Sequence, residues 1–301
     1  MTHKNQNIAY IYAGLTILCW STVASVFKIA LARFNIVSLL FIANVTALFI
    51  YLLIVIFTGR INQIFKGSLI SYLRSMLMGF LNPFLYYIVL LRAYSLLPAQ
   101  IAQPLNFIWP ITLTLLAIPF LGYQFSWHSF AGLILSFLGV FFIASRDNIT
   151  SFKIEEPAGV ILALGSSVAW AFYWILNVKD ARDNVIKLFM NFFFSAVYIS
   201  VVLIITGDFQ VHLLNKSWPV IYLGIFEMGI TFIFWLKALQ LAQHPDRIAN
   251  VIYLTPFISL IIIHFVLGEQ IYLTSVIGLF LIVSGIIVQK INHKDEFQEF
   301  T

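Results

Sequence analysis

Residues 106–140, NFIWPITLTLLAIPFLGYQFSWHSFAGLILSFLGV, and residues 252–286, IYLTPFISLIIIHFVLGEQIYLTSVIGLFLIVSGI, carry the same punctuation, Pro-x11-Gly-x9-Gly-x6-Gly. Pro110, Gly122, Gly132 and Gly139 recur as Pro256, Gly268, Gly278 and Gly285, each displaced by 146 positions. Pro and Gly have the strongest local effects on a backbone, so four of them at identical spacing mark an internal duplication. The match extends upstream: Leu91-Arg92-Ala93 parallels Leu236-Lys237-Ala238, Thr58-Gly59 parallels Thr206-Gly207, and Trp20-Ser21 parallels Trp170-Ala171. Offsets drift between 145 and 150, as short loop insertions would cause. The reading is two repeat units, residues 1–150 and 151–301, the second ending in a short cytoplasmic tail.

The duplicated text is too apolar for water. The chain is 61% hydrophobic and 10% charged, with 30 Phe, whereas a soluble domain carries about a quarter charged residues. Crossing a bilayer takes about twenty apolar residues in a helix. Runs of that order fall at 8–30, 36–58, 71–92, 98–119, 126–146, 157–178, 185–206, 218–239, 247–267 and 272–291. Membrane β-strands are about half that length and alternate, so a barrel is excluded. The sequence therefore predicts an all-α polytopic membrane protein with ten transmembrane helices. Five crossings per unit force the second to enter from the opposite side, giving two inverted five-helix repeats.

Charge supplies an orientation. With a cytoplasmic N-terminus, eleven of the 17 Lys and Arg lie on the inside and six on the outside, which favours both termini in the cytoplasm of a cell (inner) membrane. The net charge of +5 is carried by single residues at the ends of apolar runs, not by a patch, so nucleic acid is not an expected partner. Cys19 is the single cysteine and reads as a small buried hydrophobe. The apolar stretch after Met1–Asn7 exceeds a signal-peptide core and reads as a retained first helix.

The Trp20-Ser21-Thr22 motif, Asn106-Phe107-Ile108-Trp109-Pro110, the Leu-Gly turns and Leu254-Thr255-Pro256 resemble the drug/metabolite transporter superfamily, in its ten-helix EamA type, over nearly the full length. Residues 105–143 and 169–184 look most like the bacterial aromatic amino acid exporters. The resemblance implies a secondary transporter whose cavity, lined by helices 1, 3, 4, 6, 8 and 9, opens alternately to each side. It implies export of amino acids, aromatic ones first, with uptake of a nucleoside-like or cofactor-like solute as the alternative. One departure stands out: the family often has Gly-Glu after helices 4 and 9, but here Gly122-Tyr123 answers Gly268-Glu269.

Several residues can carry transport. Pro110 and Pro256 are expected mid-helix, where each deprives the carbonyl four residues earlier of its partner; a matched pair of broken helices suits gating at a repeat interface. Gln103, Asn106 and Trp109 share the face of Pro110, and the amides of Gln103 and Asn106 are offered to a substrate or to a neighbouring helix. Glu227 lies near the bilayer centre, with no Lys or Arg on its own helix before Lys237. A lone carboxylate there must face a wet cavity, meet a cation or take up a proton, so Glu227 is the candidate for substrate binding and proton coupling. The repeat offset places Asn82, beside Pro83, at the equivalent position. Trp20, Trp170, Tyr173, Trp174 and Trp235 lie inside spans and can stack on an aromatic or cationic solute. Trp20 and Trp170 gain from their matched positions, and Ser21, Tyr173, Asn250 and Tyr253 complete the candidate substrate-binding set. His264, near a helix end, reads as a hydrogen-bonded structural histidine. Lys28 and Arg92 read as side chains reaching for the interface.

No catalytic residues, metal ligands or cofactor are expected. The chain has no His-Glu-x-x-His and no Gly-x-Ser-x-Gly turn, and Phe65-Lys66-Gly67-Ser68 is not a phosphate-binding loop. A membrane-embedded enzyme is the rival from another class. The expected partners are a small-molecule substrate and the lipid bilayer.

Overall fold

The computed structural model describes residues 4–121, 127–145, 156–178, 180, 182–207, 209–210, 216–243, 247–248 and 251–290. Among these, every regular element is helical. The first repeat comprises α1 (Gln6–Leu31), α2 (Ile36–Phe57), a short α3 (Ile61–Phe65), α4 (Leu69–Gly79), α5 (Tyr86–Leu96), α6 (Ala99–Asn106), α7 (Trp109–Leu121) and α8 (Trp127–Ala144). The second comprises α9 (Pro157–Val178), α10 (Asn184–Thr206), α11 (Trp218–Leu223), α12 (Ile230–Leu241), α13 (Thr255–Leu267) and α14 (Leu273–Lys290). Wide-turn π segments, Phe80–Leu85 and Gly224–Gly229, join α4 to α5 and α11 to α12.

Among the described residues six helical stretches are long and apolar enough to cross a membrane: Gln6–Leu31, Ile36–Phe57, Leu69–Leu96, Pro157–Asn177, Asn184–Thr206 and Trp218–Leu241. Shorter apolar helices lie at Phe130–Ala144, Ile252–Leu267 and Leu273–Val288. Phe57, Ile204 and Phe265 are about four-fifths exposed, as side chains on a lipid-facing surface would be.

The helix expected over 98–119 is two helices. Its chain turns at Phe107 and Ile108, and Pro110 occupies the first turn of α7 instead of a mid-helix position. There the missing N–H costs no hydrogen bond and the fixed φ suits a helix start. Pro256 likewise sits in the first turn of α13, behind a tight turn of 3-10 helix at Ile252–Leu254. The prolines thus restart helices that have already broken.

Helix ends follow their caps. Asn35 and Asp183 open α2 and α10 by accepting from backbone N–H groups two or three residues on. Gly59 just beyond α2 and Gly207 at the end of α10 both take φ 67°, a left-handed turn that only Gly adopts without penalty.

Packing is reciprocal across the repeats. α1 lies against α12 and α13 of the other half, and its counterpart α9 lies against α5 and α7. α2 packs on the second π segment and α10 on the first, while α2 and α10 pack on each other. A two-fold exchange of the halves requires this pattern. α8 and α14 form a separate pair whose backbones touch: a Cβ on Gly139 would lie 2.5 Å from the Gly278 carbonyl oxygen, and one on Gly278 equally close to that of Gly139. The repeated glycines Gly139 and Gly278 are therefore a packing device.

Candidate functional site

The wide turns begin at repeat-equivalent glycines. A Cβ on Gly224 would lie 2.6 Å from the Ala43 carbonyl oxygen of α2, and one on Gly79 would meet the Asn191 carbonyl oxygen of α10. Close approach of bare backbone lets each broken helix lean on the other half. The carbonyls loosened by the second wide turn are then met from α2: the Tyr51 hydroxyl donates to the Met228 and Gly229 oxygens. Its counterpart Tyr198 donates to the Met76 oxygen at 3.2 Å.

These breaks bring polar groups to the middle of the molecule. There a cavity of about 60 Å³ is lined by α1 (Trp20, Phe27), α5 (Tyr86, Tyr94), α6 (Gln103, Asn106), α7 (Trp109), α9 (Trp170, Trp174), Glu227 and α12 (Trp235). Its walls are mostly aromatic: Tyr86 lies 4.8 Å from Trp170, and Trp20 lies 6.0 Å from Trp235, ring centre to ring centre. Pockets for drug-sized ligands run from roughly 300 Å³ upward. This cavity is contracted, and a solute larger than a few waters needs helices to part.

Glu227 is the cavity's carboxylate. It is buried and accepts a hydrogen bond from the Tyr87 hydroxyl at 2.9 Å. Among the described residues no Lys or Arg pairs with it. Lys237, one helix further on, lies over the Tyr12 ring, 5.5 Å from its centre. Asn106 is held from both sides: Tyr86 donates to its Oδ1 at 3.3 Å, and its Nδ2 donates to Ser166 Oγ at 2.8 Å. Gln103 Oε1 and the indole nitrogens of Trp170 and Trp174 are buried without a partner among the described residues. No cluster of three metal-ligating side chains occurs among the described residues.

Of the residues singled out from sequence, Trp20, Gln103, Asn106, Trp109, Trp170 and Glu227 meet around this cavity. Ser21, Asn82, Tyr173 and Tyr253 are buried but do not line it. Ser21 Oγ donates to the Ile17 and Thr255 oxygens, tying α1 to the start of α13. Tyr173 packs its ring near Trp170 and Trp174. Asn82 sits in the first wide turn with extended backbone, φ −149° and ψ 121°, and its amide atoms have no protein partner. Asn250 lies outside the described residues. Tyr86, Tyr87, Tyr94 and Phe27 were missed; Tyr86, Leu90 and Tyr94 recur at i, i+4 and i+8, a helical stripe hidden among many aromatics.

Beyond the cavity, Lys28 does not simply reach for the interface. Its Nζ donates to the Tyr94 and Leu97 oxygens, capping the end of α5. His264 Nδ1 lies 2.9 Å from the Glu269 carbonyl oxygen, consistent with a structural histidine.

Comparison with known proteins agrees with this architecture. The model of the EamA-like transporter family matches residues 7–145 and again 157–289. The uncharacterized transporter YvbV of Bacillus subtilis (strain 168) is 26% identical over 227 residues, 73% of this chain and 71% of that protein. A solved crystal structure superimposes with a TM-score of 0.66 at 19% identity, covering 94% of this chain and 96% of the other, which shows a shared fold.

Proposed function

Because the chain belongs to the EamA-like transporter family, we propose that it is a secondary transporter that moves small organic solutes by alternating access, exporting amino acids with aromatic ones first. The observation that carries this reading is the central cavity, where Glu227 lies among five tryptophans contributed by both repeats. Aromatic faces bind an aromatic or cationic body, and a carboxylate binds an ammonium group. The contracted volume supports a state between the two openings.

In this reading the protein crosses the cell membrane ten times, with both termini cytoplasmic and its units at 1–150 and 151–301. The breaks before Pro110 and Pro256 are where the halves flex. Glu227 exchanges a proton for the solute's positive charge, so that a proton gradient drives accumulation on one side. Asn106, held by Tyr86 and Ser166, positions its helix end at the cavity.

Purified protein in proteoliposomes tests the proposal. Labelled phenylalanine should accumulate by counterflow when the lumen is loaded with unlabelled phenylalanine. Counterflow of a nucleoside from the same panel, with none of any amino acid, would replace the cargo. Conversion of a solute to a new product would mean an enzyme.

A further inference from the structure

An indole N–H is a donor only, and when buried it usually finds an acceptor. Trp170 and Trp174, one turn apart on α9, both line the central cavity, and neither indole N–H has an acceptor among the described residues. On the acceptor side, among the described residues Gln103 Oε1 has no donor and the Glu227 carboxylate receives the Tyr87 hydroxyl alone. Neither Lys nor Arg lines the cavity among the described residues.

Two residues with neutral donors thus line the same cavity as two residues with acceptors, one of them an acid. In a membrane interior, unpaired groups of this kind call for water or for a ligand that completes them. A solute bearing only an amine would satisfy Glu227 and Gln103 and leave both indoles bare. A dianion such as a phosphate would find no cation to meet it.

Resting on the transport reading above, we infer that Trp170 and Trp174 are specificity-determining donors that read a carbonyl or carboxylate oxygen beside the solute's amine. Because the donors are neutral, the oxygen need not be charged. The substrate class is therefore aromatic amines with an adjacent carbonyl, amino acids and their amides alike. Glu227 and Gln103 take the ammonium, and the remaining aromatic rings take the side chain.

The full chain in lipid nanodiscs, excited at its tryptophans, provides a readout separate from transport. Four probes are titrated: L-phenylalanine, L-phenylalaninamide, phenethylamine and 3-phenylpropanoate. The acid and the amide should bind within about threefold of each other, and phenethylamine about tenfold more weakly, as expected for one or two lost hydrogen bonds. Trp170→Phe and Trp174→Phe keep the ring and lose the donor; each should shrink the gap between phenylalanine and phenethylamine. Size-exclusion profiles matching the parent show that the variants fold. Equal binding of phenylalanine and phenethylamine, or full discrimination retained in both variants, would overturn the inference and leave the transport reading standing. Failure of all four probes to bind, while another solute shows counterflow, would overturn both the inference and the amino acid cargo.

Discussion

The Glu269 carboxylate accepts the backbone N–H groups of Ala99 at 2.9 Å and Gln100 at 3.2 Å, so the second half of the molecule caps α6, the helix that carries Gln103 and Asn106 to the cavity. Gln100 answers with its side chain: Nε2 donates to the Gln270 carbonyl oxygen and Oε1 accepts from the Tyr272 N–H. A carboxylate at a helix N-terminus satisfies orphan donors and favours the helix dipole. The departure from repeat symmetry at Glu269 thus has an architectural cause.

Glu269→Ala should lower stability by about 0.5–2 kcal/mol, the usual cost of losing an N-terminal cap. Glu269→Gln, which keeps one acceptor oxygen, should lose less. Thermal unfolding in detergent measures both. If Glu269 were the coupling group instead, Glu269→Gln would abolish the pH dependence of flux, which the capping role does not predict.

Tyr87→Phe removes the hydroxyl that donates to Glu227. Leaving a buried acceptor without its partner costs about 1–3 kcal/mol. Solute affinity or flux should change by roughly tenfold or more, with folding retained. Tyr94→Phe, which leaves the Tyr87–Glu227 hydrogen bond in place, should have a smaller effect. Initial rates in proteoliposomes separate them.

Gly79→Ala and Gly224→Ala each place a methyl against carbonyl oxygens of the opposite half. Backbone cannot retreat as a flexible side chain can, so each should destabilise by about 1–3 kcal/mol. Gly14 and Gly165, also within helices, have nothing within 4 Å of an added Cβ. Gly14→Ala and Gly165→Ala should be neutral or stabilise by up to about 1 kcal/mol. Melting temperatures of the four variants check this contrast.

Tyr51→Phe should destabilise more than Tyr198→Phe. The Tyr51 hydroxyl is fully enclosed and serves two carbonyls at the wide turn holding Glu227, whereas Tyr198 serves one at a more open place. The expected difference is on the order of 1 kcal/mol, read again from thermal unfolding.

The architecture was legible because its breaks are made by Pro and Gly. The spacing from Pro110 to Gly139 and from Pro256 to Gly285 announced the duplication. Thr58-Gly59 and Thr206-Gly207 matched in the repeat, and the structure gives both glycines a left-handed turn. What the pattern misplaced was the proline's role, since a Pro in an apolar run looks the same whether it kinks a helix or starts one. The wide turns had weaker signals, because a π segment of 6 residues is too short to display a hydrophobic period. Only Asn82-Pro83 and Glu227 hinted at them. Glu227 itself was legible from cost, as an ion in hydrocarbon is rarely idle. Tyr86, Tyr87 and Tyr94 were not, because in a chain 17% aromatic a cavity stripe reads like any lipid-facing one.

The proposed coupling of solute movement to protons at Glu227 is measured by the accumulation of labelled phenylalanine in proteoliposomes under an imposed pH gradient, for the parent and for Glu227→Gln. Gradient-driven accumulation is expected in the parent. In the variant, accumulation is lost, with any remaining exchange indifferent to pH. Equal, equally pH-dependent accumulation by Glu227→Gln would contradict it.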